Sequence, residues 1–141
     1  MSEIETVIRK LYSDAEGKTL EMEAFVSSFS NNGYMTDIPA EITLRGKDIG
    51  DYLAVLTAAF PDIYRELFSM YFAGSVVVVE LAIRGTHTGK LDLPSGTLAP
   101  TGRTIDVPCC DVFHVEGGKV TSFHCYNAAS IMQQQLGIVG A

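Results

Sequence analysis

Two adjacent glycines constrain this chain more than any other pair of residues. Gly117 and Gly118 separate two runs, 104–115 and 119–127, rich in β-branched, aromatic and cysteine side chains. A Gly-Gly pair supplies the positive-φ positions of a tight turn, so the runs must pair as an antiparallel hairpin. With the glycines at its centre, Glu116 faces Lys119, an opposite-charge pair that suits the register. Val115 then faces Val120, Asp111 faces His124, Cys110 faces Cys125 and Cys109 faces Tyr126.

Side chains alternate across a strand. Ile105, Val107, Cys109, Asp111, Phe113 and Val115 share one face, joined in this register by Val120, Ser122, His124, Tyr126 and Ala128. The other face is more polar, so the first is expected to point inward. Asp111 is then a lone carboxylate in an apolar row with an imidazole across from it. Such a pair can hold one proton between its members, which suits general acid–base work near neutral pH. It can equally be a satisfied hydrogen bond of the core.

Upstream, the pattern is helical. Ile4, Val7, Ile8, Leu11, Tyr12 and Ala15 fall at helical spacing over 3–16, with Ser2 and Glu5 placed as a capping box. A second helix is expected over 20–29, broken by Asn31-Asn32-Gly33, and a third over 48–60, closed by Pro61. Short strands are expected at 34–38 and 42–44, and long ones at 64–73 and 75–88. A loop should cover 89–103, and a last helix 130–136. Helices first and long antiparallel strands after make an α+β domain of 141 residues. N-terminal helices packed on one face of a strongly curved antiparallel sheet form a cone-shaped α+β barrel, and its open end would be a pocket for a small apolar molecule.

Composition excludes several alternatives. A net charge of −7 without a basic cluster disfavours nucleic acid and anionic membrane surfaces. No apolar run is long enough to span a bilayer, and MSEIETVIRK lacks a signal-peptide core, so the expected location is the cytoplasm. Three cysteines without CxxC spacing argue against both a disulfide framework and a zinc site. Other candidates for the pocket are His87, on the apolar parity of its strand, and Cys109 and Phe113 on the inward row. Tyr12, Tyr34, Tyr126 and Asp37 complete the set. For Asp37, before Ile38-Pro39, turn chemistry is the simpler reading.

The segments GTHTG at 85–89, APTGR at 99–103, DVFHVEGGKV at 111–120 and QQLG at 134–137, in this order, resemble the SnoaL-like polyketide cyclases. That family belongs to the superfamily sharing the nuclear transport factor 2 fold. The resemblance covers nearly the whole chain. It implies a cone of helices on a bent antiparallel sheet, a homodimer, no cofactor and no metal. It also implies acid–base chemistry: ring closure by an intramolecular aldol reaction in the cyclases, and hydration, dehydration, isomerisation or epoxide opening in related members. The family's acidic residue seven positions before the Gln of QLG falls on Ala128 here, and its frequent tryptophan near 124 is His124. The sequence therefore supports two readings. One is an enzyme with His124 as general base, oriented by Asp111, with His87 or Tyr126 bonding the oxyanion. The other is a binding or dimerisation module that kept the cone without the chemistry.

Overall fold

The computed structural model describes residues 2–93 and 96–138. Helix α1 (Glu3–Ala15) starts where the sequence places it: the Glu5 N–H donates to Ser2 Oγ at 3.1 Å. The box is half made, because the Glu5 carboxylate turns outward to Arg9 at 2.8 Å. Its apolar stripe buries Ile8, Leu11 and Tyr12. Helix α2 (Met22–Ser27) is shorter than its pattern, and strand β1 (Phe29–Asp37) begins inside the expected helix. Asn31-Asn32-Gly33 does not break the chain but forms the irregular middle of β1, where the register jumps. A Cβ on Gly33 would sit 2.7 Å from the Val120 carbonyl oxygen, so only glycine allows this approach. Pairing across the sheet overrides the local turn signal.

Strand β2 (Ile42–Leu44), helix α3 (Lys47–Ala59), and strands β3 (Tyr64–Ala73) and β4 (Val76–Thr86) follow closely as expected. The expected loop carries a small two-stranded sheet of its own, β5 (Leu91–Leu93) with β6 (Gly96–Leu98); Pro94 lies outside the described residues. Strands β7 (Thr104–Glu116) and β8 (Lys119–Asn127) and helix α4 (Ala129–Leu136) end the fold. The main sheet runs β2-β1-β8-β7-β4-β3. Its pairs are antiparallel except β1 with β8, which is parallel. The α+β cone is thus as expected, with one parallel junction. Helices α1–α3 cover the concave face, and a second apolar cluster, including Phe60, Ile105 and Leu136, lies near α4.

The hairpin corrects the sequence reading at its most important point. Gly117 and Gly118 have φ of +57° and +77°, and Glu116–Lys119 and Val115–Val120 pair as expected. Between His114 and Val115 the register then shifts by one residue, with Thr121 as the extra residue of β8. Beyond that bulge every β8 side chain changes face relative to the simple hairpin. Phe123 faces Phe113, Cys125 faces Asp111, Tyr126 faces Cys110, and His124 faces Val112. Core packing favours this register. Phe123 goes inside against Phe113, ring centroids 4.3 Å apart, while Ser122, His124 and Tyr126 move to the outer face.

Candidate active site

A cavity of about 500 Å³ lies between the concave sheet face and the helices. Most of its wall is apolar, from residues such as Leu11, Leu53, Leu56, Phe60 and Val107. Three of its polar groups, Asp37, Asp111 and Cys125, come from one rung of the sheet. Ladder pairing runs Met70–Val79–Asp111–Cys125–Asp37–Ile42 from β3 to β2. Asp111 and Asp37 therefore project from the same rung on either side of Cys125. Two strand spacings separate their backbones by roughly 9–10 Å. Each carboxylate meets a helical tyrosine. Tyr12 of α1 donates its hydroxyl to Asp111 Oδ2 at 2.6 Å, and Tyr52 of α3 donates to Asp37 Oδ2 at 2.6 Å.

The two pairs differ in their surroundings. Asp111 is 2% exposed and accepts one further bond, from the Cys109 thiol at 3.2 Å. Burial raises its carboxyl above the usual range, and the bonds from Tyr12, Cys109 and Cys125 and the charge of Arg65 only partly oppose this. Burial and the facing carboxyl push Tyr12 up as well. Asp37 takes three donors: the Tyr52 hydroxyl, the Asn127 amide at 3.2 Å and the Ala40 N–H at 3.3 Å. All three are donated to it, two at Oδ1 and one at Oδ2. Asp37 thus serves both the expected turn and the cavity. Burial, with Asp37 second, drives the Tyr52 hydroxyl far above the usual tyrosine range.

The remaining sequence candidates separate from this centre. His124 does not meet Asp111. It lies on the outer face, between Val112 and Thr36 in the ladder, and pairs with the Tyr34 hydroxyl at 3.0 Å. Tyr34 shares that outer face, with the Arg45 guanidinium over its ring at 5.1 Å, and does not line the cavity. Tyr126 is 48% exposed on the outside. Phe113 is buried behind Tyr12, edge-on with centroids 5.9 Å apart, and supports the phenol from the core. Cys110 and Cys125 do not face each other, and Cys125 is inside.

His87 is fully buried, away from the cavity lining. Its Nδ1 accepts from the Thr101 N–H at 3.2 Å, and its backbone bonds Arg103 O and Gly102 N. The segments GTHTG and APTGR are therefore clasped to each other, and His87 is the rivet. With Nδ1 accepting, the ring proton falls on Nε2, which has no partner among the described residues; the ring lies 5.4 Å from that of Phe60.

Cys109, Asp111 and Cys125 offer donor atoms within 4.8 Å of one another, near enough to share a metal ion. Two strands bring them together, so no CxxC spacing announces them. Their protons are already engaged: the Cys109 thiol bonds Asp111, and its sulfur lies 3.7 Å from Cys125 Sγ. The contact with Cys125, followed by burial and Asp111, drives the Cys109 thiol far above its ordinary range. A metal would have to displace those protons, and the trio fits better as a hydrogen-bonded thiol cluster.

Sequence reasoning missed Tyr52, Asn127 and Arg65 in the cavity wall. For Asn127 a signal was present. The apolar parity of β8 switches between Val120 and Phe123, as a bulge requires, and the switch turns Asn127 inward.

The family model for the SnoaL-like polyketide cyclase matches residues 6–135. No curated protein matches the chain. Among solved structures, a Jannaschia sp. CCS1 protein described as a SnoaL-like polyketide cyclase is similar at 15% identity and TM-score 0.82, covering 99% of this chain and 94% of that one. A Catenulispora acidiphila protein with a ketosteroid isomerase-like fold, solved with trimethylamine, gives 20% identity and TM-score 0.77 over 94% and 92%. A LEH-like epoxide hydrolase of M. tuberculosis gives 12% and 0.70 over 95% and 89%. At these identities the structures speak for the fold.

Proposed function

The chain belongs to the SnoaL-like polyketide cyclase family, and on that footing we propose that it is a cofactor-free acid–base enzyme that moves a proton α to a carbonyl. The observation that carries this reading is the rung bearing two differently surrounded carboxylates, each held by a tyrosine, in one apolar cavity. Asp37, with its donors in place, takes the α-proton. Asp111, whose neutral form burial favours, and Tyr12 face the oxygen of the resulting enolate. Two neutral acids facing each other use one proton between them, which leaves the second free to bond that oxygen. A carboxylic acid held neutral in an apolar site can act as such a donor. The enolate then either regains the proton at another carbon, an isomerisation, or attacks a second carbonyl of the same substrate, an aldol closure. Asp37, rather than a group at Ala128, supplies the acid–base function in this reading. The substrate is a compact carbonyl compound with an apolar skeleton, in keeping with the lining.

We also propose a homodimer through the outer sheet face, where Phe68, Tyr71 and Tyr126 are exposed. Tyr71 shares a rung with Val78, Val112 and His124 there.

The test of the proton-transfer reading is solvent exchange. The protein is incubated with 2-tetralone in deuterium oxide and loss of the α-proton is followed by NMR. Accelerated exchange in the wild type, lost in Asp37→Asn, supports the proposal. Exchange at the buffer rate, or undiminished in Asp37→Asn, favours a binding module.

A further inference from the structure

Arg65, at the start of β3, has a side chain 10% exposed and lines the same cavity. A guanidinium carries five N–H donors and a permanent charge. Only Nη1 bonds the protein among the described residues, to the Ala15 carbonyl at 3.0 Å. The nearest carboxylate partner, Glu16, stands 3.9 Å away, beyond hydrogen-bonding distance. Glu16 instead spends both oxygens on the backbone N–H of Arg65, at 2.9 and 3.2 Å. Burial keeps the Glu16 carboxyl above its ordinary range even with Arg65 beside it, as a loose pair would. A cation so buried needs a hydrogen-bonded counter-charge, and among the described residues Glu16 pairs with it only at the edge of ion-pair distance, without a side-chain hydrogen bond.

We infer that Arg65 is the anchor for a ligand carboxylate, so that the cavity takes amphipathic carboxylates, an apolar skeleton with an anionic end, in preference to neutral apolar molecules. The inference names the substrate class for the acid–base reading above and rests on the same cavity. The division of labour is spatial. Asp37, with Tyr52 and Asn127, faces the reacting carbon. Asp111 with Tyr12 faces the carbonyl oxygen. Arg65 holds the far end of the molecule through the planar fork that matches a carboxylate. Fixing that end selects which α-carbon meets Asp37, which is how remote binding contacts position a reacting centre.

The test compares 2-naphthoate with its methyl ester by isothermal titration calorimetry. The ester is the more apolar of the two, so a cavity that binds by burial alone prefers it. We expect the wild type to prefer the carboxylate by about ten- to a hundred-fold, the worth of a charge-assisted hydrogen bond. Arg65→Met, which keeps the stem and removes the fork, should lose that preference and favour the ester. Equal or tighter binding of the ester by the wild type overturns the inference, and so does binding of neither probe. The wild-type comparison stands alone if Arg65→Met fails to fold. The ratio is read without turnover, so failure of the proton-transfer reading, seen as undiminished exchange in Asp37→Asn, leaves this result separately interpretable.

Discussion

Asp37 and Asp111 share a rung, face the same cavity, and each accept a phenol at 2.6 Å, yet their surroundings differ. Asp37 ends β1, where a turn N–H and a side-chain amide reach it as well as Tyr52. Asp111 sits mid-strand on β7, where neighbouring backbone groups are committed to the ladder and its other listener is a thiol. The fold thus places a backbone N–H, an amide and a phenol on one carboxylate, and a phenol and thiols on the other. In the proposed acid–base reading, identical side chains separated by a single strand take opposite tasks from position along their strands.

The sharpest way to break this comparison is to neutralise each carboxylate in turn. Asp37→Asn should lower α-proton exchange by roughly 10²–10⁴-fold, the usual worth of a general base. Asp111→Asn keeps a neutral donor beside Tyr12 and should lose only about tenfold or less. Equal losses in the two variants would mean that the groups are not specialised.

The tyrosines sharpen the contrast at the next level. Tyr12→Phe removes the phenol that holds the Asp111 acid towards the developing oxyanion and should cost up to about 10²-fold in exchange rate, the low end of what a lost oxyanion donor costs. Tyr52→Phe leaves Asp37 with two of its three donors and should cost clearly less. A larger loss in Tyr52→Phe would reverse the assignment of base and oxyanion site.

Stability against pH separates the carboxylates without any substrate. Burial raises the Asp111 carboxyl above its unfolded value of 3.8, so the folded state holds this proton after the unfolded chain has released it. Its stabilising contribution is full below that value and is lost as pH rises towards the folded one. Relative to Asp111→Asn, the wild type should therefore lose stability with rising pH, at a slope of up to about 1.4 kcal/mol per pH unit in that window. Urea melts of both proteins across pH 4 to 8 (about the range where one buried carboxyl can titrate) would show it. A constant difference would mean that Asp111 ionises as it does in the unfolded chain.

How much of this was legible in the sequence follows from the range of each interaction. The cap at Ser2, the stripe of α1, the Gly-Gly turn and the inward parity of β7 depend on neighbours a few residues apart, and all are found. The bulge at Thr121 depends on which β8 residues the core accepts. The sequence carried its trace, the parity change between Val120 and Phe123, but the turn alone implied an uninterrupted ladder. The meeting of Asp37 with Tyr52 and Asn127 needs the placement of α3 and the parallel pairing of β1 with β8. Local spacing encodes neither. His87 failed for another reason: strand parity placed it inward correctly, but inward at that end means the core around Phe60 rather than the cavity.

The smallest expected effect tests the register itself. In the simple hairpin His124 meets Asp111, and its removal would abolish any acid–base function of the pair. In the bulged hairpin it meets Val112 and the Tyr34 hydroxyl on the outer face, one rung from Cys125 and on the side away from the cavity. His124→Ala should therefore leave the exchange rate within about twofold of wild type. It should cost no more than the ~0.5–1.5 kcal/mol of a partly exposed hydrogen bond. Exchange measurements alongside urea melts would distinguish the two registers. A hundred-fold loss of exchange in a protein of unchanged stability would mean that the imidazole reaches the inside, and Asp111 would then have to be reconsidered as its partner.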